Sequence, residues 1–479
     1  MYFYLSIYFR IFNRYTIFIT MRPFKIYTNF LMESYKTSPI SKFKDQKDVF
    51  TRESGMASES EVMEKIIDEL LQNETFNFEL LTKMCKMIEE VSSESFPSNI
   101  SSEKVTAILR KFYETQEESL EMCLIQIIVG FSYFEEYIPI LIQEEFHTFI
   151  FQKINTQSSS SYNGLKVLAN ICEFLEDPII TLRMICSILP NIGCFPDFSI
   201  FDYWLQFLLN YIKSETSTEE EIQLIIDTLS IFLTHFDNFD EANGPFSILS
   251  CFSYIRLFWI MIQIISYPQE FDIDYIINHS LFKRKRAFLY YEFDDNLPTA
   301  FLTLAGSLIS KKMNAFDIHI DDLAPLFRST NSVILSASIW LITKMIESDR
   351  EFVEELERFN FSIFREAYNS IFSVKEEIAY LYQSFLDALY PNEFYSFFQY
   401  NSDLLIEFFD LDNNDINIHQ IQFFYDLLNN LTADPEKQQE VIKFLNDKDF
   451  IGIMNELIDK NEDEIITAQL HQLLDFFTP

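Results

Sequence analysis

The sequence predicts an all-α protein built as a solenoid of stacked helices. Amphipathic segments with apolar residues at helical spacing follow one another along the chain, and the ends of the longest recur at a nearly constant interval. No segment shows the convincing alternation of apolar and polar residues that is typical of a strand. Hydrophobic residues make up 48% of the 479 positions, so the chain can bury a large core.

The predicted helices share an apolar stripe and are separated by short polar breaks. They cover residues 60–72, 102–113, 117–133, 162–175, 200–213, 219–235, 247–266, 297–311, 332–347, 374–389, 415–431 and 462–477.

The helix ends recur with the period of a helical repeat protein. Three long helices end at Ile346, Leu389 and Leu431, which are 43 and 42 residues apart, and the last ends near Phe476. Repeats of about 40 to 47 residues that contain only helices are typical of armadillo and HEAT solenoids. In these folds each repeat buries its apolar face against its neighbours.

Composition excludes several classes of function. The seven Gly residues are never closer than 29 positions, so the chain has no glycine-rich phosphate loop. The six Cys form no CxxC pair and the six His are scattered, which predicts neither a metal site nor a cofactor. Because there is also no nucleophile elbow and no paired-His helix, we predict a protein that is not an enzyme.

Charge divides the chain into two parts. Residues 1–55 carry nine Lys or Arg and four acids, and we predict that they form a flexible basic tail. Residues 56–479 are predicted to form one repeat body, whose strong negative charge repels nucleic acid and attracts basic partners. Solubility alone is the alternative explanation of this charge. Met56 precedes a capped helix and is an alternative native start.

Three further stretches each allow more than one interpretation. Residues 1–20 and 246–266 are apolar, but Arg10 and Arg14 interrupt the first and Arg256 lies within the second. We therefore predict no membrane partner, with a membrane tether as the alternative. The basic cluster 282–288 is predicted to be a solvated turn, with a localisation signal or a contact for an acidic partner as the alternatives.

Several segments share the residue pattern of one known family. They include "SASIWLITKMIES" (336–348), "SVKEEIAYLYQSFLDAL" (373–389), residues 404–431 with the ending Leu-Asn-Asn-Leu, and residues 450–477. Together with 165–174 and 186–193, they resemble successive repeats of importin-α over most of 57–479. The resemblance implies a right-handed superhelix of about nine or ten armadillo repeats, one of them truncated. It also implies an adaptor for basic nuclear-localisation peptides, present in cytoplasm and nucleus.

The resemblance also implies a set of binding residues. In importin-α, each peptide-binding repeat carries a Trp and an Asn four residues apart, on a helix that lines an acidic concave groove. Trp340 and Tyr380 stand at positions of that Trp, and Asn170, Asn191 and Ser384 stand at positions of that Asn. The Trp rings hold the aliphatic stems of Lys or Arg. The buried face of a neighbouring repeat is the alternative location for Trp340.

No repeat keeps both members of this pair. Lys344 follows Trp340 at the Asn spacing, while Lys166 and Ser187 replace the Trp before Asn170 and Asn191. Residues 41–48 are only weakly similar to the family's importin-β-binding segment. The sequence therefore supports two hypotheses, an import adaptor that binds basic peptides and a non-transport scaffold that has lost the Trp and Asn ladder. Both predict protein or peptide partners, and importin-β is among them only for the adaptor.

Overall fold

We describe a computed structural model of the chain. The predicted tail 1–55 and Met56 lie outside the described residues. Within them there is no β-strand, which confirms the all-α prediction. The structure describes residues 64, 67–69, 71–72, 100–155, 161–175, 182–183, 186–187, 199–212, 217–234, 251–279, 282–313, 316–350, 352–353, 356, 362–371, 374–411, 413–460 and 464–477.

The chain divides into two compact units between residues 281 and 282. Unit 1 contains the described residues up to 279, and unit 2 contains those from 282 onward. The prediction that 56–479 form one continuous repeat body stays a prediction.

Unit 1 contains long helices joined by shorter ones. Its helices are α1 (Ser102–Glu114), α2 (Glu118–Phe131), α3 (Ile138–Gln143), α4 (Phe146–Asn155), α5 (Ser161–Ile171), α6 (Ser199–Tyr211), α7 (Glu219–Thr234), α8 (Cys251–Ser266) and α9 (Asp274–Ile277).

Unit 2 is built in the same way. Its helices are α10 (Lys285–Leu289), α11 (Asn296–Ser310), α12 (Ile320–Leu323), α13 (Ser332–Ser348), α14 (Ser362–Ser370), α15 (Lys375–Ala388), α16 (Phe394–Glu407), α17 (Asn414–Asn430), α18 (Pro435–Asp447), α19 (Phe450–Lys460) and α20 (Glu464–Leu474).

Local sequence fixes where the long helices of unit 2 begin. The side chains of Asn331 and Asn413 accept hydrogen bonds from the first free backbone N–H groups of α13 and α17. Asp434 caps α18 in the same way, directly before Pro435, whose missing N–H costs nothing at a first helical position. Of these three helices, α13 carries part of the candidate site described below.

One long helix from each repeat packs against its counterpart in the next repeat. In unit 1 the order is α2, α5, α6 and α8, and in unit 2 it is α11, α13, α15, α17 and α20. We call these the ladder helices. Helices α2, α5 and α6 end at Phe131, Ile171 and Tyr211, each 40 residues after the one before. The ladder therefore confirms a solenoid of helical repeats, while the count of nine or ten repeats stays a prediction.

The second apolar stretch forms a core helix. Helix α8 is buried from Ser253 to Ile265, and the described residues contain no helix that is long and apolar enough to cross a bilayer. The apolar stretch 1–20 lies outside the described residues.

Candidate functional site

In unit 2, polar and aromatic side chains line one side of two adjacent ladder helices. On α13 they are Trp340, Lys344 and Glu347, at positions i, i+4 and i+7. On α15 the spacing is i, i+3, i+7 and i+10, which keeps the residues on one side of the helix. We call these two stripes together the unit 2 face. Its α15 residues, all at least partly exposed, are Glu377, Tyr380, Ser384 and Asp387.

Trp340 is partly exposed and is seated on the preceding ladder helix. A Cβ atom placed on Gly306 of α11 would lie 2.1 Å from a carbon of the Trp340 ring. Gly306 therefore allows an approach that no other residue permits. This packing orients the ring and leaves part of it in contact with solvent.

Both carboxylate oxygens of Glu347 are engaged, one within α13 and one with α15. Its Oε2 is 2.6 Å from Nζ of Lys344, whose side chain is only 9% exposed. Its Oε1 accepts a 3.2 Å hydrogen bond from the Ser384 hydroxyl. The positive charge of Lys344, which follows Trp340 at the Asn spacing, is thus paired within its own helix.

Tyr380 joins α15 to α17. Its hydroxyl accepts a 3.2 Å hydrogen bond from Nδ2 of Asn413, the residue that caps α17. Burial is the main cause that raises the pKa of Tyr380, and the Asn413 hydrogen bond opposes it. The phenol therefore stays neutral at physiological pH and presents a partly exposed ring on the unit 2 face.

Two carboxylates of α15 have no cation beside them in the part of the chain that the structure describes. Among the described residues, neither Glu377 nor Asp387 has an ion-pair partner. Loss of hydration raises the pKa of Glu377 to about 7. It also raises the pKa of Asp387, with nearby His419 opposing and Glu347 adding to the shift. The loss of hydration is incomplete, because Glu377 is partly exposed and Asp387 is exposed.

In unit 1 the corresponding polar groups bind one another. Nδ2 of Asn170 on α5 donates to the Ser132 hydroxyl at 2.8 Å, just after α2. On α6, Nδ2 of Asn210 donates to the carbonyl of Ala169 at 2.7 Å, and its Oδ1 accepts from Gln206 at 2.6 Å. These side chains tie neighbouring ladder helices together.

Arg256 completes this arrangement from α8. Its guanidinium lies 2.6 Å from a carboxylate oxygen of Asp202 and donates to Oε1 of Gln206 at 2.7 Å, both on α6. The side chains of Arg256 and Asp202 are 10% and 21% exposed, so the pair is largely removed from water. The charge that interrupts the apolar stretch 246–266 is therefore neutralised inside the protein. We call Arg256, Asp202, Gln206, Asn210 and Asn170 the unit 1 seam.

The predicted site residues have three different locations. Trp340, Tyr380 and Ser384 belong to the unit 2 face, Asn170 belongs to the unit 1 seam, and Asn191 lies outside the described residues. Their role as peptide contacts stays a prediction. Sequence reasoning missed Gly306, Glu377 and Asp387. Helical spacing from Tyr380 identifies the two acids, whereas Gly306 is recognisable only as an isolated glycine inside a helix.

The basic cluster is paired at one residue, and its role stays a prediction. Within the basic cluster 282–288, Lys285 pairs with Asp322 at 2.7 Å. The part of the chain that the structure describes contains no group of three or more His, Cys, Asp or Glu side chains able to hold a metal ion.

Comparison with known proteins identifies the fold. No family model and no curated protein matches the sequence. A chain from a structural study of the phosphorylation switch that controls the interaction between cadherin and beta-catenin aligns with a TM-score of 0.53 and 9% identity, over 86% of this chain and 80% of that chain. The protein thus has an all-α solenoid fold of the armadillo type.

A second solved structure, of an engineered protein, aligns with a TM-score of 0.30 and 12% identity over 59% of this chain and 97% of that chain. This similarity is too low to establish a shared fold.

Proposed function

We propose that this armadillo-type solenoid is a binding protein whose unit 2 face holds an extended basic segment of a partner protein. The observation that carries the proposal is the pair of α15 carboxylates, Glu377 and Asp387, which are partly desolvated and have no cation among the described residues. An unpaired carboxylate in such surroundings is unfavourable until a positive charge arrives.

The residues between these two acids suit the remaining parts of a basic side chain. Tyr380 offers an aromatic ring on which the methylene stem of Lys or Arg can lie. Ser384 lies one helical turn further on and keeps its hydroxyl on the same side of α15. Along α15, the two acids thus flank two residues that can contact the rest of a peptide side chain.

The finer role in this proposal is that of a divergent import adaptor. The resemblance of residues 336–348 and 373–389 to importin-α repeats supports it, and so does the strong negative charge of the body. This role places the protein in cytoplasm and nucleus and makes importin-β a partner. It involves neither catalysis nor a cofactor.

The test is a titration of a fluorescent Lys- and Arg-rich peptide against the full chain, followed by anisotropy. Trp340 provides a second signal, because Trp204 and Trp259 are buried and only Trp340 is partly exposed. We expect saturable binding at about 0.05 M salt that weakens at about 0.5 M salt. An acidic peptide of equal length is the control. Absence of basic-peptide binding at the lower salt concentration would refute the proposal.

The alternative function is a scaffold that binds a partner without using basic side chains. The unit 1 seam favours it, because Asn170 and Arg256 are already engaged within the protein. A scaffold predicts that a purified partner remains bound in excess basic peptide and at high salt. Displacement of that partner by the peptide would count against the scaffold.

A further inference from the structure

We propose that Lys344 determines which side chain of the bound segment lies next to Trp340. By neutralising Glu347, it makes this position suit a neutral apolar side chain, while basic side chains lie over α15. The inference rests on the proposed function and goes further by specifying a pattern in the partner.

The geometry of the pair supports this role. Lys344 is nine-tenths buried, and its ammonium lies 2.6 Å from Glu347 Oε2. A buried ammonium group cannot leave its carboxylate without losing a favourable interaction in surroundings of low polarity. Since the second Glu347 oxygen already accepts from Ser384, both oxygens are engaged before any ligand arrives.

A cationic side chain of the partner would therefore gain little favourable electrostatic interaction with α13. The charges of Lys344 and Glu347 sum to zero, and a second ammonium would have to approach the first. Trp340, one turn before Lys344, instead offers the exposed part of an aromatic ring held in place by Gly306. Apolar contact with that ring is the interaction that remains.

The separation of the two helices fixes the spacing in the partner. Packed helices lie about 8 to 10 Å apart, and an extended chain advances about 3.3 Å per residue. An extended segment that crosses from α13 to α15 therefore uses about three residues. We infer a partner motif in which an apolar residue and a basic residue stand three positions apart.

The experiment compares peptides that differ at a single position. Each peptide keeps one basic residue and carries either Leu or Lys three positions away from it. Each is synthesised in two versions, with the variable residue on the N-terminal or on the C-terminal side of the basic residue. Anisotropy is measured on the full chain as wild type, Lys344→Met and Lys344→Arg. For the version that binds more tightly, we expect the wild type to bind the Leu peptide about three- to tenfold more tightly than the Lys peptide. Lys344→Met should abolish or reverse this preference, and Lys344→Arg, which keeps the charge, should retain it.

A second variant keeps the inference testable if Lys344→Met fails to fold, which thermal melting followed by circular dichroism would reveal. Glu347→Gln leaves the Lys344 charge without its partner, so the Lys peptide should weaken further while the Leu peptide keeps its affinity. If neither peptide binds the wild type, the proposed function fails and this inference fails with it. If both bind but the preference is absent, or is the same in Lys344→Met, only the inference is overturned.

Discussion

The two units differ in how the polar side chains on adjacent ladder helices are paired. In the unit 1 seam, Arg256 of α8 pairs with Asp202, and Asn170 bonds to Ser132, so the polar groups of adjacent ladder helices satisfy one another. On the unit 2 face, Glu347 is paired in the same manner, but Glu377 and Asp387 of α15 have no cation partner among the described residues. Within that part of the chain, the polar groups of the seam are paired and the two acids of the face are not.

This difference separates a stabilising role from a binding role. Polar groups that are already paired and partly buried contribute to stability and can form few additional interactions with a ligand. Carboxylates that are desolvated and unpaired lower stability and gain most when a ligand arrives. Substitutions in the seam should therefore act on stability, and substitutions of the unpaired acids on the face should act on binding.

The largest expected effect is at Arg256. Arg256→Ala leaves Asp202 without its cation in largely buried surroundings, and we expect a loss of about 3 kcal/mol in the free energy of unfolding. Arg365→Ala is the matched control, because its pair with Asp403 is exposed and should contribute at most about 1 kcal/mol. Urea denaturation of both variants measures the difference. Equal losses would show that the seam is not a stabilising element.

The next effect tests how Trp340 is positioned on the face. In Gly306→Ala the new methyl group overlaps the Trp340 ring, so the ring must move, at a cost of about 2 kcal/mol. Gly452→Ala is the control, since its methyl group would meet only the movable carboxylate of Asp449. Urea denaturation and quenching of Trp340 fluorescence measure the outcome. Unchanged stability and quenching in Gly306→Ala would contradict the described packing.

A smaller effect is expected at Asn170. Asn170→Ala removes the hydrogen bond to Ser132, and we expect a loss of about 1 kcal/mol in the free energy of unfolding with no change in peptide binding. Ser384→Ala removes a more exposed hydrogen bond to Glu347 and should cost less. Thermal melting and anisotropy measure the two properties. Weaker peptide binding by Asn170→Ala would assign this residue to the binding site after all.

The smallest expected effect is a pH dependence on the unit 2 face. Because the pKa of Glu377 rises from 4.5 to about 7 on folding, the folded state holds this proton more tightly than the unfolded chain. The contribution of Glu377 to stability is therefore most favourable at low pH and declines as the pH rises through about 7.

A basic peptide prefers the ionised acid, so its affinity should increase severalfold between about pH 6 and about pH 8. Anisotropy titrations across this range measure the change. Glu377→Gln should flatten the profile, and the remaining slope would report on Asp387, whose pKa is also raised. An affinity that falls over this range in the wild type would contradict the role given to Glu377.

The sequence was sufficient to predict the ladder helices, because their apolar stripes are long and regular. The predicted helix 332–347 is observed as Ser332–Ser348, and 374–389 as Lys375–Ala388. Other helices outside the ladder, such as α16 and α18, were absent from the predicted set. Their stripes are short and interrupted by polar or aromatic residues, so periodicity alone does not distinguish them.

The site was only partly predictable, because its contacts join residues far apart in the chain. The repeat pattern identified Trp340 as a candidate, but its contact with Gly306 depends on how α11 packs against α13. The pairing of Arg256 with Asp202 likewise spans two ladder helices. Lys344 and Glu347 are three positions apart, a spacing that allows pairing on a helix, but the sequence does not show that the Lys344 side chain is buried.

The measurement that tests the central claim most directly compares two double variants with equal loss of charge. Glu377→Gln with Asp387→Asn removes the unpaired acids of α15, and Glu103→Gln with Glu118→Gln removes two exposed acids of unit 1. Anisotropy at low salt with the Lys- and Arg-rich peptide gives both affinities. We expect the first variant to lose about tenfold or more in affinity and the second less than about twofold. Equal losses would mean that the peptide responds only to net charge, and the unit 2 face would not be its binding site.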